Sequence, residues 1–250
     1  MTDIDDTLTT EGAITPDALA ALHALQSAGL HRIAITGRPV GWSLEFAAAW
    51  PLDALVAENG AVALVSVRAA DGALSVARHY RDDAATRSAN FQRLQQVLER
   101  IEREVPGAVR ATDSPGRETD IAIDHSEFTH LDDARIADVV ALMRAEGLHA
   151  TVSSIHINGW FGDHDKWVGA RWIVQALLGR NLETEIDRWA YVGDSTNDQR
   201  MFEAFDNSIG VANVRRFAPK LRCLPRYVAS SERGAGFAEV AAAVLAARSD

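Results

Sequence analysis

Hydrophobic and polar positions along this chain follow two alternating rhythms. Short β-branched or apolar runs predict buried strands, and segments with an apolar residue every three or four positions predict amphipathic helices. The first part of the chain predicts, in order, helix 16–28, strand 32–35, helix 42–49, strand 55–57 and strand 61–65. Pro51 ends the second helix, because proline lacks the amide hydrogen that a continuing helix needs. Such alternation predicts a mostly parallel sheet with helices on both faces.

The last third of the chain returns to the same alternation. It predicts, in order, strand 189–192, helix 197–205, strand 208–211 and helix 237–247. Because both ends of the chain share this rhythm, we predict that residues 1–77 and 161–250 form one Rossmann-like α/β core.

The middle of the chain has a different rhythm, in which a long helix precedes paired strands. Phe91, Leu94, Leu98 and Ile101 form one apolar stripe along this helix. The middle predicts, in order, helix 87–104, strands 108–111 and 119–123, helix 134–145, and strands 149–153 and 155–158. The pattern helix-strand-strand therefore occurs twice, and we predict an α+β cap domain at residues 78–160, inserted into the core.

Composition narrows the possible partners and compartment. The formal net charge of −10 argues against nucleic acid, because binding to a phosphodiester backbone requires a basic face. The single cysteine, Cys223, cannot form an internal disulfide or a cysteine-based zinc site. No window is apolar enough to predict a membrane span, so we expect a cytoplasmic protein with a small-molecule partner. The apolar stripes are all explained as core and indicate no oligomeric state.

Three short segments far apart in the chain predict one phosphate-handling site. They are 3–7 (Asp-Ile-Asp-Asp-Thr), 33–38 (Ile-Ala-Ile-Thr-Gly-Arg) and 191–198 (Tyr-Val-Gly-Asp-Ser-Thr-Asn-Asp). We place each at the carboxyl end of a strand, where the sites of parallel α/β sheets form. Crowded carboxylates repel one another and need a cation, and a cation held by oxygen ligands readily binds phosphate. The combination predicts metal-assisted phosphoryl transfer.

The acidic residues of these segments divide the chemistry between them. One of Asp3 and Asp5 can attack phosphorus while the other moves a proton. Mg²⁺ bound by Asp3 and by Asp194 or Asp198 would screen the repulsion between carboxylate and phosphate. These residue types alone leave open whether the phosphoryl group passes to water or to another acceptor.

Polar groups at two other positions favour phosphate binding. Thr36 offers a hydroxyl and a backbone N–H beside Gly37, where the backbone can approach an oxyanion. Lys166 opens the helical run 167–178, and its ammonium can hold both a nucleophilic carboxylate and a phosphate. Taken singly, these features are typical of a strand-to-loop turn and a solvated lysine. Their joint order along the chain favours a site.

The motifs resemble those of the haloacid dehalogenase-like phosphatase superfamily. They occur in the order Asp-x-Asp-Asp-Thr-Leu, apolar run-Thr-Gly-Arg, Lys and Gly-Asp-x-x-Asn-Asp. The inserted domain and segment 57–61 (Ala-Glu-Asn-Gly-Ala) are similar to the branch with a type IIB cap, which includes Cof-like, sucrose-phosphate and mannosyl-3-phosphoglycerate phosphatases. The resemblance implies Mg²⁺-dependent hydrolysis of a small phosphomonoester, for which we favour a sugar or sugar-acid phosphate.

The resemblance also implies residue roles. Asp3 is expected to become an aspartyl phosphate, while Asp5 protonates the leaving alcohol and then activates water. The implied phosphate-binding residues are Thr36, Gly37, Lys166 and Asn197. The implied magnesium ligands are the side chain of Asp3, the backbone carbonyl of Asp5, Asp194 and Asp198.

Two positions depart from the family pattern. Only Met1 and Thr2 precede Asp3, where the family has a full apolar strand. A short central strand would leave Asp3 poorly anchored, so we expect a natural chain that extends before Met1, with an unusually short first strand as the alternative. Ser195 stands where family loops often carry glycine, and a small polar residue can take the same turn.

Substrate selection is assigned to polar residues of the cap. The predicted specificity residues are Arg117, Ser154, His156 and Asn158. Arg117 follows a Pro-Gly turn, so its guanidinium can point at a carboxylate or second phosphate of the substrate. The alternative for this arginine is an exposed ion pair with Glu118.

Two other functions stay open at this stage. A phosphotransferase such as a phosphomutase would use the same aspartyl phosphate but keep it from water. A non-catalytic domain would use the same pocket to bind a phosphorylated metabolite. The complete set of motif residues argues against the second alternative.

Overall fold

The protein is described by a computed structural model that covers residues 1–68 and 73–247. Its α-helices are α1 (Pro16–Ser27), α2 (Val40–Ala49), α3 (Ala84–Glu104), α4 (Asp133–Ala145), α5 (Lys166–Leu178), α6 (Gln199–Ala204) and α7 (Arg233–Ala246). Its strands are β1 (Thr9–Thr10), β2 (Ala13–Ile14), β3 (Ile33–Ile35), β4 (Ala54–Ala57), β5 (Val62–Arg68), β6 (Leu74–Tyr80), β7 (Val109–Arg110), β8 (Asp120–Asp124), β9 (His149–Val152), β10 (His156–Trp160), β11 (Ala190–Gly193), β12 (Asn207–Gly210) and β13 (Tyr227–Val228).

The central sheet joins the two ends of the chain. Strands β3 and β4 pair in parallel, as do β11, β12 and β13, while β5 and β6 extend the sheet antiparallel from β4. Thr2 forms single parallel bridges to Ala34 and Val192 and so connects the two halves. The predicted α/β fold class is confirmed.

The central sheet is buried on both faces because its side chains alternate between two apolar clusters. Ala34 packs with residues of α1, α2 and α7, whereas its neighbours Ile33 and Ile35 pack with residues of α5 and α6. Strands covered on both faces read as continuous apolar runs rather than as alternating ones. This burial fixes the strand register, and with it the positions of the loops at the carboxyl ends.

The middle of the chain forms its own antiparallel sheet and its own apolar core. The strand order is β7-β8-β10-β9. Helices α3 and α4 pack on this sheet in a separate apolar cluster that includes Leu94, Leu98, Val139 and Met143. Helix-strand-strand occurs twice, as predicted. We call this unit the cap. Its limits at residues 78 and 160 stay a prediction.

Several helices begin at other residues than the apolar pattern predicts. Helix α3 starts at Ala84, because the side chain of Asp83 accepts a hydrogen bond from the Thr86 N–H at 2.9 Å and caps the helix. Helix α7 begins at Arg233, four residues before the predicted start. Residues 196–198 form a tight 3₁₀ turn, so α6 begins only at Gln199.

None of the helices in the described ranges combines the length and the apolar character that crossing a membrane would require.

Candidate active site

The first acidic segment leaves the sheet through a tight turn. The Asp3 N–H donates to the Val192 carbonyl at 2.8 Å, which anchors this residue between the two halves of the sheet. Immediately afterwards, the N–H groups of Leu8 and Thr9 both donate to the Ile4 carbonyl at 2.9 Å. Asp6 adopts a positive φ of 53° within this turn. The turn ends the extended segment after Asp3, so Asp3 and Asp5 are not held to opposite faces of a strand.

Lys166 lies at the centre of the site, at the first position of α5. Its Nζ donates to Oδ1 of Asp3 and to Oδ1 of Asp198, both at 2.7 Å. The Asp165 side chain caps the helix by accepting from the Val168 N–H at 2.8 Å. Burial alone would lower the pKa of Lys166, but the two carboxylates raise it overall, so the side chain is an ammonium ion.

Three buried carboxylates surround this ammonium. One oxygen from each of Asp3, Asp194 and Asp198 lies within 4.8 Å of the others. Burial raises the pKa of Asp3 to about 7 despite Lys166, and burial with the neighbouring carboxylates raises that of Asp194 well above its ordinary value. The single positive charge of Lys166 therefore does not balance the three carboxylates.

Asp194 has an oxygen that is ready for a cation. Its Oδ2 accepts from Asn213 Nδ2 at 3.0 Å, whereas its buried Oδ1 has no hydrogen-bond partner among the described residues. A buried carboxylate oxygen without a partner is unfavourable unless it binds a metal or a water molecule. Hard divalent cations such as Mg²⁺ prefer oxygen ligands of this kind, so the donor set fits magnesium.

Asp198 accepts hydrogen bonds on both of its carboxylate oxygens. Its Oδ1 accepts from Tyr191 Oη at 2.5 Å as well as from Lys166, and its Oδ2 accepts from the N–H groups of Asp194 and Ser195 at 2.9 and 3.1 Å. Each oxygen of Asp198 thus accepts two hydrogen bonds, through which Asp198 orients Lys166 and shapes the loop. One of its oxygens also lies within 4.8 Å of an oxygen of Asp3 and of Asp194, and its role as a metal ligand stays a prediction. Asn197 receives a hydrogen bond from Ser195 Oγ at 3.0 Å on its Oδ1.

The Thr36–Gly37 loop follows β3 and meets the cap. The Thr36 N–H was predicted to bind phosphate, but this N–H donates to the Val56 carbonyl at 2.9 Å. The Thr36 hydroxyl accepts from the Arg38 N–H at 3.0 Å. A Cβ at Gly37 would lie 3.2 Å from the side-chain oxygen of Asn158, so glycine lets the cap come close to this loop.

Asp5 faces an arginine that reaches from the core to the cap. Arg38 Nε donates to Oδ1 of Asp5 at 3.0 Å, while its two terminal nitrogens donate to Asp113 at 3.2 Å and to Glu127 at 2.7 Å. His156 Nε2 lies 2.8 Å from the second oxygen of Glu127. Although burial raises the pKa of Glu127, His156 and Arg38 lower it further, to about 2. Asp5 is thus held beside a fixed positive charge at the cap boundary.

Comparison with known proteins finds one matching family model and many similar folds. A family model for haloacid dehalogenase-like hydrolases matches residues 1–97. The fold is similar to that of the haloacid dehalogenase-like hydrolase from B. subtilis, with a TM-score of 0.67, 14% identity, and coverage of 96% of this chain and 97% of the other. Over residues 1–97, the chain matches the haloacid dehalogenase-like hydrolase family. The predicted resemblance, including its type IIB branch, is confirmed.

Two further solved structures share the superfamily fold over almost the full length. The Thermoplasma acidophilum protein 0175 has a TM-score of 0.68 at 15% identity and covers 96% of this chain and 94% of its own. Sucrose-phosphatase from Synechocystis sp. PCC6803, solved with sucrose and phosphate, has a TM-score of 0.66 at 14% identity and covers 98% and 95%. No curated protein matches the sequence.

The predicted specificity residues of this haloacid dehalogenase-like chain all lie where the cap touches the core. Arg117 is buried and donates to Asp120 at 2.7 Å and to the Gly37 carbonyl at 3.1 Å, and it also pairs with Asp113. Asn158 Nδ2 donates to the same carbonyl at 3.2 Å. Because Arg117 is buried, it does not form the exposed ion pair with Glu118 that was the alternative. Its guanidinium binds two carboxylates and joins the Thr36–Gly37 loop to the cap, and its role in substrate selection stays a prediction.

The other two predicted specificity residues also contact acidic groups. His156 holds Glu127, as described above, and the Ser154 side chain interacts with Asp6 across the boundary. Ser154 opposes the effect of burial, which raises the pKa of Asp6. These contacts place both residues close to the acidic turn that carries Asp5.

Sequence reasoning missed two residues of this boundary. Asp113 and Glu127 are single acidic residues in cap loops, and nothing in their surrounding sequence distinguishes them from solvated surface. The arginine that binds them did carry a signal, because Arg38 is the last residue of the Thr-Gly-Arg segment. Its partners become visible only when the cap docks on the core.

Proposed function

We propose that this protein is a Mg²⁺-dependent phosphatase that hydrolyses a small phosphomonoester through an aspartyl-phosphate intermediate. The observation that carries the proposal is the buried cluster of Asp3, Asp194 and Lys166 at the carboxyl end of the sheet, with its unpartnered carboxylate oxygen. Family members that are phosphatases, such as the sucrose-phosphatase with the same fold, support it.

Asp3 is the proposed nucleophile. Lys166 binds its Oδ1 and keeps the ammonium next to the position of the phosphoryl group. The free carboxylate oxygen attacks phosphorus, forming the bond from Asp3 to phosphorus as the bond to the leaving alcohol breaks. When bound, Mg²⁺ would neutralise charge on the phosphoryl oxygens. Its proposed ligands are Asp3, Asp194, Asp198 and the backbone carbonyl of Asp5.

Asp5 is the proposed acid and base. It gives its proton to the leaving alkoxide in the first step and takes a proton from the attacking water in the second. That water breaks the aspartyl phosphate, releases inorganic phosphate and regenerates Asp3. Arg38, 3.0 Å from Asp5 Oδ1, stabilises the charged carboxylate between the two steps. The proposed phosphate-binding residues are Lys166, Asn197, the Thr36 hydroxyl and Gly37.

The proposed domain division explains how the site excludes bulk water. Residues 1–77 and 161–250 carry the reacting groups, and the proposed cap, residues 78–160, contributes Asp113, Glu127 and Arg117 at the boundary. The ion pairs of Arg38 hold the two parts together over Asp5. Closing a site in this way strengthens the electrostatic interactions inside it.

The proposal is tested by phosphate release from p-nitrophenyl phosphate. We expect turnover with Mg²⁺, loss of turnover with a chelator, and a fall of at least about 10³-fold in kcat for Asp3→Asn and for Asp5→Asn. Asn keeps the shape of both side chains, so circular dichroism should show an unchanged fold. Equal turnover by the wild type and both variants would contradict the mechanism. Isomerised sugar phosphate formed without release of inorganic phosphate would favour a phosphomutase instead.

A further inference from the structure

A polar cavity lies beside the proposed phosphoryl site. It measures about 310 Å³ and is bordered by α4 and β9 of the cap and by α6 and the turn before it in the core. Asn59, Lys166 and Asn197 line it, and two of these are proposed phosphate-binding residues. A larger, apolar cavity of about 900 Å³ lies near Met1 and Trp189, at the amino ends of the strands. Of these two cavities, the polar one therefore adjoins the proposed phosphoryl site.

Positive charge is concentrated around this polar cavity. Besides Lys166, the basic residues in its lining are Arg144, Arg200, Lys220 and Arg222. The acidic residue in the described lining is Asp165. The whole chain has a formal net charge of −10, so this concentration differs in sign from the average surface. A cleft lined by one sign of charge attracts ligands of the opposite sign.

Two of these basic side chains are free to bind a ligand. Lys220 pairs with Asp133 at 2.7 Å, and Arg200 lies 3.5 Å from Asp165. By contrast, the guanidinium groups of Arg144 and Arg222 have neither a hydrogen bond nor an ion pair with any residue in the described ranges. Arginine presents a planar fork of donors that matches a carboxylate or a phosphate.

We propose that this cavity is a second anion subsite, so that the substrate carries a further phosphate or carboxylate besides the phosphoryl group that is removed. The inference rests on the proposed function and narrows its substrate class. Arg144 on the cap and Arg222 on the core bind the second anion. Because one lies on the cap and the other on the core, a doubly anionic substrate that binds both also draws the cap onto the core. Arg117 cannot take this role, since Asp113 and Asp120 already occupy its guanidinium.

The test compares substrates with one and two anionic groups. Wild type and the double variant Arg144→Gln/Arg222→Gln are assayed with three compounds. They are the phosphate of an uncharged sugar (called the neutral sugar phosphate below), a sugar bisphosphate and a phosphorylated sugar acid. We expect wild type to favour either the bisphosphate or the sugar acid, and which of them it favours shows whether the second anion is a phosphate or a carboxylate. For that favoured compound, the ratio of kcat/KM to the kcat/KM of the neutral sugar phosphate should fall about 10- to 100-fold in the double variant. Arg103→Gln, an exposed arginine on α3 away from the cavity, is the matched control.

A binding measurement separates this inference from the proposed function. The Asp3→Asn protein is titrated calorimetrically with the same three compounds, with and without the two arginine substitutions. Weaker binding of the doubly anionic compound alone supports the subsite, even if no compound is hydrolysed. Both substituted arginines are exposed, so we expect the thermal midpoint to be unchanged. A wild type that prefers the neutral sugar phosphate, or an equal change for all three compounds, would overturn the subsite.

Discussion

Two groups of buried charge meet at the carboxyl end of the sheet, and they are partnered in opposite ways. We call Asp3, Asp194, Asp198 and Lys166 the lysine cluster, and Arg38, Arg117, Asp5, Asp113, Asp120 and Glu127 the arginine cluster. In the arginine cluster every carboxylate has a guanidinium partner within 3.2 Å. In the lysine cluster, Asp194 has no cationic partner among the described residues, and one of its oxygens has no partner at all.

The two cations explain this difference. A guanidinium is a planar fork that can bind several carboxylates at once, and Arg38 binds three. An ammonium is a compact point charge, and Lys166 pairs with Asp3 and Asp198 but not with Asp194. The lysine cluster is therefore built to receive a further cation, whereas the arginine cluster is complete and joins cap to core. A count of acidic residues alone does not separate these two roles.

Removing Lys166 should have the largest effect, because it is the one cation of its cluster. In Lys166→Met, three carboxylates stay buried without an ammonium, and breaking a buried ion pair is destabilising by about 3–5 kcal/mol. We expect urea unfolding in chelator to show a loss of this size, and phosphatase activity to be lost. Mg²⁺ should restore part of the stability, because it binds the same carboxylates.

The matched control for this change is the exposed lysine of the chain. Lys220→Met breaks an exposed pair with Asp133 and should alter the free energy of unfolding by less than about 1 kcal/mol. If Lys166→Met were as stable as wild type in chelator, the lysine cluster would not be short of positive charge.

Removing Arg117 should have a smaller effect of a different kind. Burial raises the pKa of Asp120 to about 7, so this carboxyl can take up a proton when its guanidinium is lost. We expect Arg117→Met to lose about 1–3 kcal/mol near pH 8 and less near pH 5, because a protonated Asp120 needs no cation. Urea unfolding at both pH values measures this difference.

Magnesium distinguishes the Arg117 variant from the Lys166 variant. Since the arginine cluster has no open carboxylate oxygen for a metal, Mg²⁺ should not restore the stability lost in Arg117→Met. Restoration equal to that in Lys166→Met would show that the two clusters do not differ as described.

The lysine cluster could be found from the sequence, and most of the arginine cluster could not. Asp3, Asp194 and Lys166 each lie directly at the end of a strand or the start of a helix, so local pattern and strand order bring them together. The mostly parallel sheet and the inserted cap follow from the same pattern. Local signals were sufficient here because the sheet itself sets the positions of these residues.

Contacts between cap and core depend on docking, which no local pattern encodes. Arg117 was predicted to face the substrate. It pairs with Asp113, four residues away, but it also donates to the Gly37 carbonyl, 80 positions away in the chain. Likewise, Asp198 carries the right residue type for a metal ligand. Its hydrogen bonds from Tyr191 and Lys166, both to Oδ1, depend on tertiary packing and could not be read from the residue type. Residue type predicts which groups can act, and tertiary packing decides which of them are free.

The pH dependence of stability should give the smallest effect, because protonation relieves most of the repulsion in the metal-free protein. Burial raises the pKa of Asp3 from 3.8 to about 7, and that of Asp194 also rises. A raised pKa means that the folded state holds protons that the unfolded state releases. In chelator, stability should therefore be highest near pH 4 for these groups and fall as the pH rises through about 7. We expect thermal midpoints to drop by about 2–4 °C per kcal/mol lost.

Repeating the measurement of stability against pH with Mg²⁺ tests the difference between the lysine cluster and the arginine cluster. The metal binds deprotonated carboxylates, so it should stabilise more at higher pH and remove the part of the fall that comes from the lysine cluster. Asp194→Asn should flatten the profile in chelator and abolish the response to Mg²⁺. Asp120, in the arginine cluster, also has a pKa raised to about 7. We therefore expect a second decrease in stability with rising pH, which Mg²⁺ does not change and which Asp120→Asn removes. Profiles that coincide with and without Mg²⁺ would mean that neither cluster binds the metal.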